Sequence, residues 1–136
     1  MYGKDPITGT TDDAYLKNVD GTPKKHSYGK DATKFVNKES FVKTEYYIRN
    51  SQQFKDKISI VNNTGDDAFA IEGIKLEDIL GADYKNQVFG KTRIGTKNNP
   101  IGTSATDFTD GTAKAVFRKD VSGNWNLHSM YPEPKN

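Results

Sequence analysis

Apolar residues follow a helical period over one extended stretch and a strand period over several shorter ones. Phe41, Val42, Tyr46 and Ile48 fall near one stripe of a helix, and Lys38, Lys43, Arg49 and Gln52 take the opposite side. Asn37 stands just before the stripe, where its side chain can accept from the first turn, so the pattern predicts a helix over residues 38–54. Residues 57–62 alternate in the sense of a strand, and Asn63-Thr64-Gly65-Asp66 reads as a turn. A second short strand is expected over 68–74. Leu76, Ile79 and Leu80, spaced i, i+3, i+4 ahead of Gly81, predict a short helix over 75–80.

The second half has a different texture. Residues 87–96 are strand-like, and 97–111, rich in Asn, Gly, Thr and Asp, read as a long loop. Two strand-like runs, 113–119 and 124–131, flank the turn Asp120-Val121-Ser122-Gly123 and form the clearest hairpin of the chain. Helix first and antiparallel strands afterwards predict an α+β fold, with no internal repeat. Residues 1–25 carry Gly3, Pro6, Gly9, Gly21 and Pro23 and no sustained apolar period. They are expected to be a flexible lead-in or linker to a domain at 26–136.

With 136 residues the chain has room for one core. Its 33% hydrophobic and 28% charged residues fit a small domain with long polar loops, and seven Phe, seven Tyr and one Trp supply enough apolar area to hold it. Without cysteine there is no disulfide framework and no thiolate metal site. Two histidines are too few for a histidine-only one, so neither a metal nor another cofactor is expected. No apolar run is long enough to span a membrane, and no leader peptide is visible at Met1. The formal net charge is +2, but residues 85–136 hold eight basic and four acidic side chains. That basic half can attract an anionic partner such as nucleic acid, although the imbalance is well short of a basic nucleic-acid domain and an ordinary solvated surface is the favoured account of it.

The candidates for chemistry lie mostly there. On a regular strand, Trp125, Leu127, Ser129 and Tyr131 share one face, and Asn124, Asn126, His128 and Met130 the other. If Trp125 and Leu127 enter the core, His128 is turned to the open face, where an imidazole can move protons. On the neighbouring run Lys114, Val116 and Arg118 form one face. A suitable register would bring Arg118, whose planar fork suits a phosphate, beside His128. His26 sits among Lys24, Lys25, Ser27, Tyr28 and Lys30, a cationic setting for a second titratable group. The stretch 92–103, with Arg93, Lys97 and Thr103, is dense in donors but lacks the P-loop order of residues. Serine-hydrolase, zinc-protease and calcium-loop spacings are absent. Metal-free RNA cleavage needs a group to take the 2′-hydroxyl proton, another to protonate the leaving oxygen, and cations or hydroxyls around the phosphate. His26, His128, Arg118, Ser129 and Tyr131 can serve as that catalytic set, with Arg93, Lys97, Thr103, Lys30 and Lys114 binding substrate.

The run 117–132, ending Leu127-His128-Ser129-Met130-Tyr131-Pro132, resembles the closing hairpin of small toxin ribonucleases of the barnase, EndoU, colicin and RelE group. It looks most like the C-terminal toxin domains of bacterial polymorphic, contact-dependent growth inhibition toxins. In that group the last strand often carries Ser or Thr, then an aromatic, then Pro, matched here by Ser129, Tyr131 and Pro132. The resemblance covers about residues 26–132 and departs from the EndoU pattern in having no second histidine near His26. It implies a BECR-like fold, an N-terminal helical portion packed on a twisted antiparallel sheet. It also implies cleavage of RNA, often tRNA, a cognate immunity protein, and in some cases a host translation factor as helper. Such domains are the tips of longer secreted or cell-surface toxins and are delivered to the target-cell cytoplasm. A non-enzymatic extracellular binding or adhesion module stays open beside this reading, since aromatics on strands and polar turns also suit a recognition surface. A DNase ranks last for want of metal ligands.

Overall fold

In a computed structural model, residues 31–96 and 99–135 are described. The elements run β1 (Asp31–Phe35), α1 (Lys38–Arg49), α2 (Gln52–Thr64), β2 (Ala68–Lys75), α3 (Leu76–Leu80), a 3₁₀ turn (Tyr84–Asn86), β3 (Val88–Gly95), β4 (Pro100–Ala105), β5 (Thr112–Lys119) and β6 (Trp125–Glu133). All pairings are antiparallel, in two three-stranded sheets ordered β1-β3-β4 and β2-β5-β6. The α+β class matches the expectation. The arrangement differs in two ways: a strand precedes the helices, and the strands divide between two sheets. The expected lead-in at 1–25 lies outside the described residues.

The helix expected over 38–54 is two helices. Asn37 caps α1 by accepting from the Ser40 amide at 2.8 Å, as its position predicted. The break falls at Asn50-Ser51. The Ser51 hydroxyl accepts from the Phe54 amide and so caps α2, an alternative to continuing the first helix. The buried stripe of α1 is Ser40, Thr44 and Ile48, with Phe41 against it, while Val42 and Tyr46 are exposed. Small hydroxyl residues can occupy that stripe because their polar atoms are satisfied. Thr44 donates back to the Ser40 carbonyl at 2.8 Å, and Ser40 donates to Gln87 at 3.0 Å.

Residues 57–62, expected as strand, belong to α2. Phe54, Ile58 and Val61 lie at i, i+4, i+7 and turn toward the core, whereas Ile60, which made the strand-like alternation, is 53% exposed. Gly65 ends the helix at φ 78°, a left-handed conformation that costs glycine little. The expected loop at 97–111 contains β4, an edge strand with Pro at its first position, where no ladder amide is required.

The three helices, the inner face of β2-β5-β6 and, from the other sheet, Phe35 of β1 and Val88 of β3 enclose the core. Phe69, Ile71, Ala113, Ala115, Phe117 and Met130 come from the strands, and Ile48, Val61, Leu76, Ile79 and Leu80 from the helices. Phe54, Phe69, Phe117 and Trp125 stack edge-on and face-on with centroids 4.8–5.5 Å apart. Arg49 at the end of α1 lies 4.9 Å from the Phe117 ring centroid and donates to the Trp125 carbonyl at 3.1 Å, which ties the helix pair to the start of β6. At the far end of that strand, Thr33 of β1 donates to the Pro132 carbonyl.

Candidate functional site

β5 is the central strand of its sheet, and both neighbours bulge against its middle. On β6, Val116 pairs with Ser129 and Phe117 with Leu127, so His128 is an extra residue without a cross-strand partner. On β2, Ile71 pairs with Ala115 and Ile74 with Ala113, so Glu72 and Gly73 together oppose Lys114. Gly73 has φ 82°, the conformation glycine supplies at such a bulge.

The bulge at His128 corrects the face assignment made from strict alternation. Trp125 and Leu127 do pack against the core, but Met130 and Pro132 are buried on that same side. Ser129 and Tyr131 therefore leave the Trp125 face and join Asn126 on the outer face. One inserted residue reverses the parity of everything after it. His128 is exposed, as expected, but it does not share its face with Met130.

The outer face of β2-β5-β6 thus collects Glu72 from β2, Lys114, Val116 and Arg118 from β5, and Asn126, Ser129 and Tyr131 from β6, with His128 at the bulge. Arg118 sits opposite Asn126 at the exposed end, and Lys114 sits opposite Tyr131. Lys114 is 3.7 Å from the Glu72 carboxylate, which fixes Glu72 on this face. Burial pushes the Tyr131 phenol above its usual value, with the Lys114 charge pulling the other way, so it is neutral and able to donate near neutral pH.

The chain matches no known protein family, no curated protein and no solved structure. The outer face is therefore read from its own geometry. Its wall of turn residues is well set. Asp120 accepts from the Ser122 and Asn124 amides, each at 2.9 Å, and from the Asn126 side chain at 3.0 Å, which orients Asn126 beside Arg118. Those bonds, the Asn124 amide first, hold the Asp120 carboxyl below the usual carboxylate range.

Of the expected catalytic set, Arg118, Ser129 and Tyr131 share this face, as does Lys114 from the expected substrate set, and His128 is exposed at the bulge next to Ser129. Arg93 and Thr103 do not: they face each other on β3 and β4, in the other sheet, Arg93 in the expected strand and Thr103 on a strand where a loop was expected. His26, Lys30 and Lys97 lie outside the described residues. Among the described residues no cluster of His, Asp and Glu could hold a metal ion, and no helix is long and apolar enough to cross a membrane.

Glu72 is the residue that sequence reasoning missed. Its signal was present: a lone glycine inside an apolar strand pattern, at Glu72-Gly73, marks a bulge that re-aims its neighbour. The bulge at His128 also left a trace, since Trp125 and Leu127 are out of phase with Met130 and Pro132.

Proposed function

We propose that the outer face of β2-β5-β6 binds a phosphodiester and that the domain cleaves RNA by transesterification at the 2′-hydroxyl, without a metal ion. The observation that carries this reading is the pair of bulges flanking β5. They put a carboxylate and an imidazole, Glu72 and His128, on either side of a strand bearing Lys114 and Arg118. Bulges recur beside active sites because they turn a side chain out of the regular pleat. Glu72 takes the 2′-hydroxyl proton, the 2′-oxygen attacks phosphorus, and His128 in its protonated form gives a proton to the departing 5′-oxygen. The products are a 2′,3′-cyclic phosphate and a free 5′-hydroxyl. Lys114 and Arg118 neutralise the charge that develops on the phosphoryl oxygens, while Tyr131 and Ser129 donate to them.

The same reading takes the domain as a BECR-like toxin at the tip of a longer secreted chain. Its substrate is tRNA, it works in the cytoplasm of a target cell, and a cognate immunity protein is its inhibitor. It is supported by the closing hairpin and by these basic groups around it, and it rests on the proposed chemistry. Purified protein should cleave total RNA in the presence of EDTA. Glu72→Gln and His128→Ala should each slow cleavage by about 10²-fold or more, as for loss of a general acid or base. Intact RNA, or cleavage that EDTA abolishes, would overturn the proposal.

One observation favours a second reading, a non-enzymatic binding module. Val42, Tyr46 and Tyr47 on α1 are 51%, 71% and 40% exposed, an apolar and aromatic face without a partner among the described residues. Induced expression separates the two: a toxin arrests its host unless an inhibitor is supplied, and a binding module leaves growth unchanged.

A further inference from the structure

At the exposed end of the outer face of β2-β5-β6, the amide of Asn126 has a fixed orientation. Its Nδ2 donates to the Asp120 carboxylate at 3.0 Å. Turned over, the amide would set its Oδ1 against that carboxylate, two acceptors with no proton between them. Asp120 is itself held. Its Oδ1 accepts from the Ser122 and Asn124 amides, each at 2.9 Å, and its own amide donates to the Asn124 carbonyl at 2.9 Å. The bond to Asp120 uses one of the two amide hydrogens of Asn126. The second hydrogen and Oδ1 make no bond among the described residues, and the side chain is exposed. Arg118 stands directly opposite on β5, so the two Cβ atoms are about 4.5–5.5 Å apart. It too is exposed, with no hydrogen bond or ion pair among the described residues, and its neighbour on β2 is the short Ala68.

From this placement we infer that Asn126, positioned by Asp120, is the base-selecting residue of the outer face and that it takes an unpaired adenine. Arg118 holds a phosphate through its planar fork, and Asn126, one strand away, meets the base of an adjoining nucleotide. An acceptor and a donor held side by side match adenine, whose 6-amino group donates and whose N7 accepts. In an unpaired strand adenine repeats that pattern on its Watson–Crick edge, through the same amino group and N1. Guanine has an oxygen at position 6, so its N7 edge offers only acceptors and meets Oδ1 with repulsion. An acidic peptide would engage Arg118 but would find in Oδ1 another acceptor. The inference adds a base preference to the cleavage reading above and rests on that reading.

The test measures, by anisotropy, binding of fluorescein-labelled 2′-O-methyl pentamers, which lack the nucleophile and cannot be cut. One is all adenine. The other is all purine, the same ring system without the 6-amino group, so stacking and phosphate contacts are matched. The adenine strand should bind about fivefold or more tightly, the lower end for a bidentate side chain–base pair. In Asn126→Ala the ratio should fall to about one. In Asp120→Ala, which keeps Asn126 but frees its amide to turn, the ratio should also fall. Arg118→Ala should weaken both strands and leave the ratio in place, because a phosphate contact carries no base information. Lys55→Ala, an exposed cation on α2, should change neither affinity nor ratio. Circular dichroism checks that each variant is folded. Equal binding of the two strands by the parent, binding of neither, or a parental ratio in folded Asn126→Ala would overturn the inference. If total RNA stays intact while the pentamers behave as described, the cleavage reading falls and the adenine site stands. If RNA is cut but the parent binds both pentamers alike, the adenine site falls and the cleavage reading stands.

Discussion

Deleting His128 tests the register on which the candidate site depends. With that residue gone, Leu127 opposite Phe117 and Ser129 opposite Val116 become consecutive pairs, and β6 runs as a regular strand. Trp125, Leu127, Met130 and Pro132 all keep their core positions. The regular ladder recovers a cross-strand hydrogen bond, worth about 1 kcal/mol. Against it, the strand loses the bend that carries the Pro132 carbonyl to Thr33, and leaving that buried acceptor unpaired costs about 1–3 kcal/mol. The deletion should therefore destabilise the domain by no more than about 2 kcal/mol. Deleting Val116 from β5 is the control. It shifts one half of that strand by a residue with nothing to absorb the shift, and expelling Phe117 costs about 3–5 kcal/mol, as for its loss from a core. Urea titrations followed by the fluorescence of Trp125, the only tryptophan, measure both. If deletion of His128 destabilises as much as deletion of Val116, the residue is not an insertion in the ladder and the outer-face assignment fails.

Other expectations follow from the same contacts. Phe117→Ala removes the ring on which Phe54, Phe69 and Arg49 converge and should cost about 3–5 kcal/mol, read as a lower urea midpoint at constant slope. Asp120 has its folded value held below the ordinary 3.8, chiefly by the Asn124 amide, so its stabilisation is full above 3.8 and is lost as pH falls through the lower folded value. Melting temperatures of Asp120→Ala and the parent, measured from neutral to strongly acid pH, should accordingly converge only at the acid end. Tyr131 has a raised value because burial disfavours its phenolate, so the fold loses stability as pH rises past 10.0. Tyr131→Phe should flatten that alkaline decline in thermal melts.

Several elements were legible in the sequence because a local rule and the packing agree. The Asn37 cap, the Leu76-Ile79-Leu80 helix ending at Gly81 and the hairpin around Asp120–Gly123 are of this kind. Residues 57–62 were misread because Ile58 and Ile60 mimic a strand, while the deciding partner of Ile58 and Val61, Phe54, lies outside that window. The loop at 97–111 hid β4 because an uncharged edge strand of Gly, Thr, Ser and Ala has almost no apolar period. The candidate site was half visible. Residue types pointed to Arg118, His128, Ser129 and Tyr131, but the face each occupies depends on two bulges that strict alternation does not anticipate. Arg93 and Thr103 looked like part of the same donor-rich surface, and only the pairing of β3 with β4 assigns them to the second sheet.

β6 is anchored at its first residue by a guanidinium from α1 and near its last by a hydroxyl from β1, while its irregular middle carries the polar groups. Clamped at both extremities as well as along its ladder with β5, the strand can hold its kink open without fraying, so the bulge at His128 depends on Arg49 and Thr33, remote from it in the chain. A peptide spanning the hairpin by itself would lose both anchors, and the bulge at His128 would no longer be held. Substitutions on the helix or on the first strand can thus act at a distance on whatever ligand this sheet receives.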